Sequence, residues 1–74
     1  MGVWQKAHDM DEKIGNIAGL IWKYLIDNGQ STTIKIKSAL EISNSMMYLA
    51  LGWLAREGKV DVVEIQNTIK VSLK

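Results

Sequence analysis

Apolar positions Ile14, Ile17, Ala18, Ile21 and Leu25 recur every three to four residues, the period that lines one face of an α-helix. This predicts a first helix over residues 10–27. Asp9 stands before it as an N-cap with Glu12 at capping-box spacing, and Asn28-Gly29 supplies its stop. Residues 1–9 show no clean period and read as an arm, with Val3 and Trp4 available to anchor it. Ser31-Thr32-Thr33 is short and β-prone, and either threonine can cap the element that follows. Ile34 and Ile36 alternate with Lys35 and Lys37 as a strand would, but Ser38-Ala39-Leu40-Glu41 favours a helix over residues 34–41, with Ile36, Ala39 and Leu40 inward. Ile42 is placed as a hydrophobic staple, and Ser43 or Asn44 caps a third helix over residues 45–57 that ends at Gly58. Met47, Ala50, Leu51 and Leu54 form its inward face, and Met46 and Met47 read as packing residues.

After Gly58 the period falls from 3.6 to 2. Val60, Val62, Ile69, Val71 and Leu73 alternate with polar residues, and Gln66-Asn67 lies between the runs as a tight turn. The register then sets Val60 opposite Leu73 and Val62 opposite Val71, all on one side of a hairpin that must pack across the helices. Val63 and Ile65 fall on its outer side, as do Lys70 and Lys74, which can touch a phosphate backbone without reading sequence.

Composition narrows what such a chain can do. The 74 residues, 47% of them hydrophobic, make one small globular domain. It has no cysteine and a single histidine, His8, so neither a disulfide nor a zinc site has its ligands. Asp9, Asp11 and Glu12 read as helix-end carboxylates, and the glycines fall singly, without phosphate-cradling spacing. Gly15, Gly19 and Gly52, inside helices, are expected to permit close helix approach. No nucleophile stands with a base, so no enzyme, cofactor or small-molecule substrate is expected. No apolar run reaches the roughly 18 residues of a membrane span, and Met1-Gly2 lacks the hydroxyl residue of a myristoylation motif, Lys6 standing there. A cytoplasmic protein is expected. Nine basic and eight acidic residues give a formal net charge of +1, without the basic excess of a dedicated nucleic-acid binder.

The run from Tyr48 to Val60, with Leu51, Leu54 and Gly58 in place and alternating strands behind it, resembles a family of short bacterial winged helix-turn-helix proteins of uncharacterised function; the segment Ile14–Trp22 is similar to that family's first helix. The resemblance implies an α+β fold, a three-helix core with a C-terminal two-stranded wing; the β-prone Ser31-Thr32-Thr33 leaves room for a short third strand between helices 1 and 2. It implies DNA binding by analogy with other winged helices.

In such a protein the third helix enters the major groove. Asn44 and Ser45 would then read base edges, Tyr48 and Arg56 would face the groove, and Lys35 and Lys37 would meet phosphates. Lys35 and Lys37, with Lys13, Lys23 and Lys59, would form a weak basic rim, although a solvated face accounts for these lysines better. The third helix carries no Lys or Arg before Arg56, and the wing tip Gln66-Asn67-Thr68 is uncharged. The alternative is a protein-interaction module with Tyr48, Leu49 and Trp53 as its contact surface. A homodimer is expected through that patch, the arm, or the outer side of the wing. Trp22, beside the helix 1 stripe, fills core or interface.

Overall fold

The computed structural model describes residues 2–74, and the side chains of residues 10–74. Its elements are α1 (Gly2–Asn28), β1 (Ser31–Thr32), α2 (Thr33–Leu40), α3 (Asn44–Arg56), β2 (Val60–Ile65) and β3 (Thr68–Leu73). The strands form one antiparallel sheet in the order β1-β3-β2. The architecture is α+β, and the short strand expected between the first two helices is β1, paired Ser31 to Val71 and Thr32 to Lys70.

The first helix starts well before the expected boundary. It runs through residues 2–9, so Asp9 is an interior position and not the N-cap. Gln5, Lys6 and Ala7 are good helix formers, and no proline or interior glycine interrupts the chain before Gly15. The helix therefore continues where its hydrophobic period does not. The anchoring expected of Val3 and Trp4, and any role of His8, lie outside the described side chains.

The helix ends follow their local chemistry. Gly29 takes φ 75°, and its N–H donates to the Leu25 carbonyl at 2.8 Å. Thr32 caps α2, its Oγ1 accepting from the Lys35 N–H at 3.2 Å, and Ser43 Oγ accepts from the Met46 N–H at the same distance to cap α3. At the far end of α3 the Gly58 N–H donates to Ala55 and the Lys59 N–H to Leu54, both at 3.0 Å. With Gly58 at φ 71° this is a complete Schellman motif.

A single core joins the elements: Ala18, Ile21 and Leu25 from α1, Ile36 from α2, Met47, Ala50, Leu51 and Leu54 from α3, and Val60 and Val71 from the sheet. Ile14, Ile17, Tyr24, Leu40 and Ile42 pack around it, half-buried. The inward faces expected of α1 and α3 are the observed ones. Three expectations are corrected. Ala39 is exposed, because the buried stripe of α2 is Thr33, Ile36 and Leu40, and Ala39 falls to the other side of Ile36 at 100° per residue. The hairpin register is as read, Val60 to Leu73 and Val62 to Val71. However, Val62 is 44% exposed and Leu73 38%: β3 is the middle strand, whereas β2 is an edge that runs out beyond the helices. Lastly, Gly15, Gly19 and Gly52 do not serve close packing within the chain, since a Cβ at each would meet nothing within 4 Å.

Candidate nucleic-acid interface

Burial of Met47, Ala50, Leu51 and Leu54 fixes the rotation of α3 about its axis. Asn44, Ser45, Tyr48, Leu49, Gly52, Trp53 and Arg56 are thereby left exposed. At 100° per residue they cover one continuous arc of about 180°, and what divides them is their position along the axis. Asn44, Ser45 and Tyr48 lie at the leading end. Farther along, Leu49, Gly52, Trp53 and Arg56, with Asp11, Ile14 and Glu57, line an open groove of about 470 Å³.

The candidate DNA-reading set is split in the same way. Asn44, Ser45 and Tyr48 stand together at the leading end of α3, while Arg56 is twelve residues on, about 18 Å along the axis at 1.5 Å per residue. Arg56 shares its surroundings with Leu49 and Trp53 instead. On α2, Lys35 is exposed and Lys37 half-buried. They flank Ile36 on opposite sides, so they are two separate charges rather than a patch. Of the rim lysines, Lys59 pairs with Glu57 at 3.8 Å and lies 5.7 Å from the centre of the Trp22 ring. Lys74 reaches Asp61 at 4.0 Å. Both pairs are exposed and weak.

Tyr48 at 48% and Leu49 at 46% exposure are surface residues, and Trp53 at 38% closes one side of the groove. The groove itself was not legible in the sequence, because it takes Asp11 and Ile14 from a helix distant in the chain. Among the described residues, no three His, Cys, Asp or Glu side chains cluster to hold a metal ion. No helix among them is long and apolar enough to cross a membrane.

Two helices joined by a tight turn, the second exposed at its leading end, followed by an antiparallel hairpin, define a winged helix-turn-helix protein. Comparison with known proteins agrees with this class. The chain belongs to the family described as Winged helix-turn-helix domain (DUF2582), whose model matches residues 9–73. It is 33% identical over 69 residues to an uncharacterised protein of Methanocaldococcus jannaschii, covering 89% of this chain and 97% of that one. That relative is archaeal, so the likeness extends beyond the bacterial proteins the sequence resembles. Among solved structures, HlyU from Vibrio cholerae superposes with a TM-score of 0.74 at 25% identity, over the whole of this chain and 82% of that one.

Proposed function

We propose that the chain is a DNA-binding, transcription-associated module of the cytoplasm, without catalytic activity, that presents the leading end of α3 to the major groove of duplex DNA. The observation that carries this reading is the anchoring of α3. Its inward face is held by four buried residues and its N-terminus by the Ser43 cap, which leaves Asn44, Ser45 and Tyr48 exposed together at the end that would enter. Asn44 and Ser45 offer donors and acceptors to base edges, and Tyr48 offers a hydroxyl to phosphate. Lys35 and Lys37 supply separate phosphate contacts from α2. Arg56, about 18 Å along the helix from Asn44, stands outside this leading-end set and would meet the groove farther along.

The test is titration of the isotope-labelled protein with random duplex DNA, followed by NMR at low and raised salt. Shifts confined to α3, α2 and the wing, weakening with salt, are expected. Lys35→Ala with Lys37→Ala should lower the slope of log affinity against log salt by about two, roughly one for each phosphate that is no longer neutralised. Absence of any shift at low salt would sink the reading.

A second reading rests on the groove beside α1: a protein partner seated against Leu49 and Trp53, with Tyr48 at its edge. Trp53→Ala should then abolish partner capture while the protein stays folded, since Trp53 lies outside the buried core.

A further inference from the structure

The outer face of α1 carries a second pattern that the core does not use. Gly15, Gly19, Trp22 and Ile26 follow at spacings of four, three and four residues, the seam spacing of helices that pair side by side. They lie within an arc of about 60°, turned about 120° from the buried Ile21–Leu25 stripe. Trp22 is 42% exposed and Ile26 51%. An exposed Trp and Ile on one helical line form an apolar strip of the kind found at interface centres. Lys59 stands over the Trp22 ring from the α3 side.

The glycines bear on what covers this strip. Glycine inside a helix is about 1 kcal/mol less favourable than alanine, and nothing in the chain approaches either one closely enough to require it. The strip is therefore flat at its N-terminal end and bulky at its C-terminal end. Such a surface is complementary to itself when two copies run antiparallel: the large end of each then lies on the flat end of the other.

Charge selects the same arrangement. Glu12 and Lys23 are both exposed on one edge of the strip, and among the described residues neither forms an ion pair within its own chain. The register that sets Trp22 over Gly15 of a second copy brings Glu12 to within about 3 Å, two residues of rise, of the level of that copy's Lys23. By twofold symmetry this pairing occurs twice.

We infer that the outer face of α1 is a homodimer interface, in which two copies of this chain pair antiparallel with Trp22 of each seated over Gly15 of the other, Gly19 of the two copies meeting beside the twofold axis, and Glu12 against Lys23. This goes beyond the DNA reading and does not depend on it: the interface uses residues of α1, whereas Asn44, Ser45 and Tyr48 belong to α3. It also places self-association away from Leu49, Trp53 and the wing.

The experiment is molar mass by light scattering on the whole chain, from micromolar to millimolar concentration, with DNA binding measured separately. The wild type should rise from monomer to dimer mass. Gly19→Leu should keep or raise the thermal midpoint, since a Cβ there meets nothing within 4 Å among the described residues and leucine is the better helix former, yet weaken the dimer on the order of tenfold or more. Glu12→Lys alone and Lys23→Glu alone should each self-associate poorly, because like charges then meet twice. Mixing those two chains should form a heterodimer, in which both pairs match. A wild type that stays monomeric, single-site chains that dimerise as well as the wild type, or a mixture that yields no heterodimer would overturn the inference. Loss of DNA binding with the dimer intact would count against the DNA reading alone.

Discussion

Glu41 holds φ 53° and ψ 48°, the left-handed region, at the end of α2. Its N–H and that of Ile42 both turn back to the Lys37 carbonyl, the latter at 3.3 Å, so the helix closes as α3 does but without a glycine. A non-glycine residue in this conformation is disfavoured by about 1–2 kcal/mol. Glu41→Gly is therefore expected to stabilise the fold by about 1 kcal/mol, after allowance for the looser unfolded chain. For a domain of this size that is a rise of about 4–8 °C in thermal midpoint, checked by a circular dichroism melt; an unchanged or lower midpoint would contradict it. Gln66 and Asn67, at φ 50° and 65°, are the other non-glycine residues in this region, and they close the hairpin as the primed turn its right-handed twist favours. Asn67 announced that turn in the sequence. Nothing about Glu41 announced its conformation, because glutamate has no preference for it and the demand comes from the turn into α3.

At the scale of elements, α3 is defined by its two ends and one face. Ser43 fixes the start, the Gly58 motif fixes the end, and the buried stripe sets which residues look outward. Ser43→Ala removes the acceptor for the Met46 N–H and should destabilise the protein by about 1 kcal/mol, whereas Ser43→Asp should retain most of it. Urea midpoints of the two variants check this, and equal losses would show that the cap contributes nothing. The cap also positions Asn44 and Ser45, so Ser43→Ala should weaken DNA binding more than its stability loss alone accounts for. These ends were legible because capping is local chemistry, set by a few residues of sequence. The start of α1 was not, since its N-terminal turns are carried by helix propensity without an apolar stripe.

For the whole molecule, stability of about 4–11 kcal/mol is expected at 0.05–0.15 kcal/mol per residue. Ile21 is wholly buried at the meeting of α1 with the rest of the core. Ile21→Ala should cost about 2–5 kcal/mol, a large share of the total, and should shift the urea midpoint strongly downward. Leu20→Ala, one residue away but 51% exposed, should change it little. Equal effects at the two positions would contradict the placement of the core.

By itself the sequence determined the α+β architecture, the inward faces of α1 and α3, the hairpin register and the ends of α3. Each follows from a period or a cap that neighbouring residues carry. Only the tertiary structure decided which strand lies in the middle of the sheet. It therefore also decided that Val71 is buried while Val62, of the same alternation, is not. It set Arg56 in a groove with Asp11 and Ile14 of α1, whereas Asn44, Ser45 and Tyr48, on the same exposed arc of α3, take no part in that groove. It likewise showed that Gly15 and Gly19 have no neighbour to accommodate, turning an expected packing device into an open strip. Burial depends on what lies opposite, and in this chain what lies opposite comes from distant parts of the sequence.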